Sequence, residues 1–211
     1  MTLTFYDYKM APSPRRTRIM LAEKQVKHQV VQVDMMTNEQ MGETYRAINP
    51  NCTIPALRLE DGTVLTDNAG ITVWLEETFP EPALLGRTPL EKAEIASWNW
   101  RVENEFGMAV ASALRNKNPA MQDRALPGPH NYEQIPALAE RGFKQIGNFF
   151  SSLEEHLASR KFIASNSLSV ADITCFCFME FAKVVRRQPT DAHPHIVAWW
   201  ENLRKRPAFQ L

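Results

Sequence analysis

Four short stretches carry groups able to do chemistry. The first is Tyr6-Asp7-Tyr8-Lys9-Met10-Ala11-Pro12-Ser13-Pro14, where hydroxyls lie just ahead of a run with helical spacing. Pro14 suits the first helical position and Ser13 an N-cap. The Ser13 hydroxyl would then sit at the positive end of a helix. The second is Asn49-Pro50-Asn51-Cys52-Thr53-Ile54-Pro55-Ala56-Leu57. An X-Pro bond becomes cis at a cost of about 0.5–1 kcal/mol. A cis turn here would point the Ile54 N–H and C=O outward, where an extended peptide pairs with them like an added strand. On these residues alone the plainer reading is a trans proline opening an edge strand. The third is Leu65-Thr66-Asp67-Asn68, at the head of an apolar helical run. The first N–H groups of a helix lack internal partners and stabilise a carboxylate ligand. An ordinary cap worth about 1 kcal/mol explains the same pair, and the two readings are compatible. The fourth, Ser169-Val170-Ala171-Asp172, is a variant capping box, a folding device without a catalytic role.

Other chemistries find little support. The chain has no GxGxxG, GxxxxGK, HExxH, CxxC or GxSxG. His193 and His195 have the spacing of a metal pair, but a turn leading into a helix explains them more plainly, and no metal is expected. Among 211 residues the 24 Lys and Arg balance the 24 Asp and Glu, unlike the basic footprint of a nucleic-acid binder. Arg15, Arg16 and Arg18 read as a solvated helix face. No apolar run approaches the roughly 18 residues that cross a bilayer. The start MTLTFYDYKM lacks the apolar core of a signal peptide. Three cysteines, Cys52, Cys175 and Cys177, argue against a secreted disulfide scaffold. The expected setting is a reducing cytoplasm, with no nucleic-acid or membrane partner.

These stretches need elements to position them. Leu3–Tyr6 and His28–Val33 read as strands around a helix ending near Lys24, a βαβ unit with parallel strands. Asn38–Ile48 holds a short helix. Pro55–Leu59 and Thr63–Leu65 flank Glu60-Asp61-Gly62 as an antiparallel hairpin, and a helix follows from Asp67. Phe79–Leu90 is a proline-rich linker. Beyond it, Glu91–Asn118 reads as one long amphipathic helix through Ile95, Trp98, Val102, Phe106, Ala109 and Ala113. Further helices are expected over 137–159, 170–185 and 196–203, with an irregular stretch over 119–136. The fold class is therefore α/β followed by all-α.

In this order, and around a boundary near residue 80, these motifs resemble the cytosolic glutathione transferase family, with features of its bacterial zeta-, nu- and beta-like members. The resemblance covers nearly the whole chain. It implies a thioredoxin-like domain over 1–80, with a mixed four-stranded sheet that binds glutathione. It also implies a linker over 81–90 and a helical-bundle domain over 91–211 that completes a pocket for a small hydrophobic electrophile. Glutathione is then the co-substrate and the molecule a homodimer. The resemblance makes Ile54-Pro55 cis and pairs the Ile54 backbone with the cysteinyl part of glutathione. Thr53 joins in holding the tripeptide, with Asp67 at its ammonium and Asn68 at its carboxylate. Asn68 stands where the family usually has Ser.

The family's chemistry needs a thiolate. Lowering a thiol pKa by two units takes about 2.7 kcal/mol. A helix N-terminus supplies up to about 2 kcal/mol, and a hydrogen bond to a charged group about 1.5–3 kcal/mol. One hydroxyl plus the helix end therefore suffices. The family's usual donor position falls on Ala11, which cannot donate, so Ser13 becomes the catalytic candidate as well as a glutathione contact. Tyr6, Tyr8 and backbone N–H groups are the alternatives. Cys52 reads as a packed thiol rather than a site of mixed-disulfide formation. Cys175 and Cys177 read as core, as do Trp98, Trp100, Trp199 and Trp200; Trp98 and Arg101 are secondary candidates for the electrophile pocket. Glu105 is a candidate to reach across the dimer. The expected activity is conjugation of glutathione or its use in reducing peroxides and disulfides. A non-catalytic glutathione-binding or regulatory protein is the alternative, kept open by Ala11.

Overall fold

Alternating short apolar runs and helical runs over the first 80 residues give β1 (Leu3–Asp7), α1 (Pro12–Glu23), β2 (His28–Gln32), α2 (Glu43–Arg46), β3 (Ala56–Arg58), β4 (Val64–Leu65) and α3 (Asn68–Thr78). The computed structural model describes residues 2–211. They form two units: residues 2–82 with Pro127–His130 and Leu211, and Ala83–Leu126 with Asn131–Gln210.

In the first unit the sheet order is β2-β1-β3-β4. β1 runs parallel to β2 (Phe5 beside Val30) and antiparallel to β3 (Phe5 beside Leu57). β3 pairs antiparallel with β4, completing the mixed four-stranded sheet. Leu3, Phe5, Ile19, Leu57, Ile71 and Leu75 are buried in its core. β2 is an edge strand, and Gln29 to Gln32 are all exposed, so its apolar residues do not alternate between a core face and a wet face.

Two buried charges fix the helices here. Asp7 accepts from Arg18 through both oxygens at 2.7 and 3.0 Å, and from Gln32 at 3.0 Å. Arg16 is also buried. The solvated-face reading of these arginines is thus corrected, because Asp7 at the end of β1 meets Arg18. Lys24, buried at the end of α1, donates to the carbonyls of Phe79 (2.6 Å) and Pro82 (2.8 Å) and pairs with Glu76 at 2.7 Å. It supplies acceptors at the C-terminus of α3 with a cation, where the helix end favours one.

The second unit contains α4 (Pro89–Arg101), α5 (Met108–Arg115), α6 (Pro136–Leu157), α7 (Val170–Phe181) and α8 (Pro194–Arg204). Thr88 and Glu91 form a reciprocal cap on α4. The expected single helix over 91–118 is interrupted by a π-helical segment, Val102–Gly107. The wider turn directs Phe106 into a cluster, stacked on Phe149 at 4.8 Å and edge-on to Phe150 and Phe178. Trp199 and Trp200 are buried, whereas Trp100 is 61% exposed and is not core. Two residues along a helix is a rotation of about 200°, so Trp98 and Trp100 point apart.

Asp172, in the first turn of α7, is fully buried and takes four donors: Ile163 N, Trp199 Nε1, Ser169 N and Ser169 Oγ. Glu154 of α6 caps α8 from outside, accepting the His195 and Ile196 N–H groups at 2.9 Å each. Its carboxyl also pairs with the more exposed His195 Nδ1 at 2.6 Å.

Helix α6 contains two glycines in opposite situations. A Cβ on Gly142 would lie 2.6 Å from the Ala109 carbonyl oxygen, whereas one on Gly147 would meet nothing within 4 Å. Gly142→Ala is expected to destabilise by about 1–3 kcal/mol through overpacking. Gly147→Ala should stabilise by about 0.5–1 kcal/mol through backbone entropy. Urea unfolding of the two variants checks the opposite signs.

Candidate functional site

The first unit brings together three of the four stretches. Ile54-Pro55 is cis. Ile54 precedes β3, and its backbone N–H and C=O bond to no described residue. Its side chain is buried with Tyr6, Val33, Tyr45 and Ala56, and Tyr8 packs on that cluster. The preceding loop is held from beneath. Buried Asn49 donates to Thr53 O at 2.7 Å and to Thr53 Oγ1 at 3.1 Å, while its Oδ1 accepts from Asn51 N. Tyr45 Oη donates to the same Thr53 carbonyl at 2.8 Å. Sequence reasoning missed this Tyr45–Asn49 support; the only local sign was a polar residue before Pro50. Cys52, at φ +53°, is buried, with Sγ 3.6 Å from the Pro50 carbonyl. It is a packed thiol.

Burial pushes the Tyr45 phenol up to about 12 from 10.0, against the pull of Asn49. The folded state therefore holds this proton through a range where the unfolded chain loses it. Its contribution is complete below about pH 10 and is lost as pH rises through 10 to 12, by up to about 3 kcal/mol. Unfolding measured across that range should show a smaller alkaline loss in Tyr45→Phe, which should also lose about 1 kcal/mol at neutral pH.

Asp67 is the N-cap of α3, its side chain accepting from Gly70 N at 2.8 Å. Asn68 is the first helical residue. Its Oδ1 accepts from Thr17 Oγ1 at 2.9 Å, which leaves the amide nitrogen as a donor without a partner among the described residues. Ser13 and Thr17 lie one turn apart on α1, so they share a face. The face that carries Ser13 is thus the face that meets Asn68.

Ser13 is not the N-cap. Ala11 takes that position with extended backbone, and Pro12 stands at the first helical position. A residue before proline is pushed to extended geometry, and proline's own φ suits the first turn; with Pro12 and Pro14 both eligible, the helix starts at the earlier one. The consequence is chemical. No capping bond uses the Ser13 hydroxyl, which has no partner among the described residues. Pro12 and Pro14 lack N–H groups, the Ala11 N–H bonds to the Tyr8 carbonyl and that of Arg15 closes the first helical turn onto Ala11, so the first turn offers only the Ser13 N–H, and no acidic residue there offsets the positive end. Tyr6 is buried with its ring edge-on to Tyr45 at 6.0 Å.

The remaining candidates belong to the helical unit. Arg101 lies 4.3 Å over Trp98, whose ring is 4.1 Å from that of His156, and Arg101 also makes a two-point ion pair with Glu105. Burial lowers the His156 pKa. Cys175 and Cys177 are buried and form no disulfide.

Comparison with known proteins matches residues 11–78 to the family described as "Glutathione S-transferase, N-terminal domain" and residues 114–207 to "Glutathione S-transferase, C-terminal domain". A glutathione S-transferase domain-containing protein of Marinobacter aquaeolei is 33% identical, with TM-score 0.86 over 98% of this chain and 99% of that one. Gtt2 of Saccharomyces cerevisiae is 29% identical, with TM-score 0.88 over 98% of each chain. Protein LigF of Sphingobium is 27% identical over 100% of this chain and 92% of its own; its solved structure is described as a beta-etherase.

Proposed function

Because the chain belongs to the glutathione S-transferase family, we propose that it is a glutathione-dependent enzyme that turns the tripeptide's thiol into a thiolate on the first unit. The thiolate attacks a small hydrophobic electrophile, or reduces a peroxide or disulfide. The observation that carries this reading is the unpaired Ile54 backbone together with the Asn68 amide on the Ser13 face of α1. Ile54 offers one donor and one acceptor to the cysteinyl residue, as an added strand would use them. Thr53 shapes the loop through its held carbonyl. The Asn68 amide and the start of α3 take the γ-glutamyl carboxylate, and Asp67 the ammonium through the oxygen not engaged with Gly70. Ser13 donates to the thiolate.

The molecule is proposed to work as a homodimer in a reducing cytoplasm. Leu90 and Trp100 on α4 and Met108 on α5 are 68%, 61% and 51% exposed, large apolar side chains that a second copy would cover. Three cysteines, none of them in a disulfide, fit the compartment. A non-catalytic glutathione-binding protein is the second reading, and Ala11, standing where the family usually has its thiol donor, favours it.

Calorimetric titration of glutathione, followed by conjugation and hydroperoxide assays on the same sample, separates the readings. Binding with turnover supports the enzyme, and binding without turnover supports the second reading. Asn68→Ala is expected to weaken glutathione binding roughly ten- to a hundredfold, the range of one hydrogen bond to a charged group. Unchanged affinity in that variant would remove Asn68 from the site.

A further inference from the structure

We propose that Arg115, at the C-terminal end of α5, anchors an oxyanion-binding site in the helical unit. Several buried or half-buried cations elsewhere in the chain have carboxylate partners: Arg18 with Asp7, Lys24 with Glu76, Arg101 with Glu105, and Lys183 and Arg204 with Glu180. Arg115 is half-buried too, yet it pairs with no carboxylate among the described residues. Its one hydrogen bond is from Nη1 to the Arg124 carbonyl, at 2.8 Å. Burial, and then the positive charge of Arg124, pull its pKa down, so the folded protein bears this charge at a cost.

The local acceptors are already engaged. Gln134 Nε2 occupies the Arg115 and Asn118 carbonyls at 2.6 and 2.8 Å, and Asn116 Oδ1 accepts from Ile135 N at 2.9 Å. The nearby acids in sequence, Asp123, Glu133 and Glu140, are exposed and form no ion pair among the described residues. The one neighbouring charge that acts on Arg115 is that of Arg124, also positive. One bond fixes the guanidinium while its other donors stay open, an arrangement suited to two-point recognition of a carboxylate, phosphate or sulfate group. The occupant is either a free inorganic ion or the anionic end of an organic molecule.

The test is titration of the intact protein with inorganic sulfate and, separately, phenyl phosphate, at constant ionic strength in chloride. The Arg115 side-chain Nε–H resonance is followed by NMR. Saturable shifts centred on Arg115 are expected, and affinity should fall roughly ten- to a hundredfold in Arg115→Gln. Gln retains a donor for the Arg124 carbonyl, so glutathione-dependent turnover should be unchanged. Tighter binding of phenyl phosphate supports an organic ligand, and equal binding supports a free ion. A non-saturating shift, or equal affinity in Arg115→Gln, overturns the proposal. If the variant does not fold, the shift in the unaltered protein decides: saturation centred on residues other than Arg115 overturns it as well.

Discussion

Replacing Asp172 with alanine is expected to lower the unfolding free energy by about 3–5 kcal/mol, because several buried donors would lose their acceptor. Four donors converge on this one carboxylate, from Ile163, the Ser169 backbone and hydroxyl, and Trp199. They join α7, α8 and the segment between α6 and α7. Burial holds the Asp172 carboxyl above its ordinary range, and the four bonds pull it back. A domain is stable by only about 5–15 kcal/mol, so Asp172→Ala should unfold at a much lower urea concentration. Asp172→Asn keeps the volume and one acceptor, and should lose less. A loss under about 1 kcal/mol in the alanine variant would show that water replaces the carboxylate, contrary to this description.

The second large effect is expected at Ser13. A donor to a thiolate contributes about 1.5–3 kcal/mol, so Ser13→Ala should raise the pKa of bound glutathione by about one to two units. Turnover near neutral pH should then fall roughly ten- to a hundredfold, as the thiolate fraction falls, while glutathione affinity changes little. The helix end remains in the variant, though with few donors: proline removes two of its N–H groups, so the hydroxyl accounts for a larger share of the stabilisation than in a helix with a full first turn.

Local rules made much of this legible in the sequence. Asp67 as the cap of α3, the Ser169–Asp172 turn and the hairpin around Gly62, at φ +88°, each depend on residues within a few positions of one another. The start of α1 was displaced by two residues because two prolines suit the same position, and this displacement changes Ser13 from a cap into a free hydroxyl. The π segment left no mark in the apolar spacing, since Val102, Phe106 and Ala109 satisfy an ordinary helix equally well. The contacts of Asp7 with Arg18, Lys24 with Glu76, and Asn68 with Thr17 join residues far apart in the chain. Only folding makes them neighbours. The Tyr45–Asn49–Thr53 support is local in sequence, but it spans an irregular loop with no periodic pattern: each residue is unremarkable alone, and together they hold the carbonyl that precedes Ile54.

The most direct test of thiol activation is a titration of the thiolate absorbance of glutathione bound to the protein and to Ser13→Ala. A bound-thiol pKa well below that of free glutathione, rising by about one to two units in the variant, is the expected result. Equal pKa values in the two proteins would contradict the assignment of Ser13 as the donor, and a bound pKa equal to that of free glutathione would contradict activation at this site.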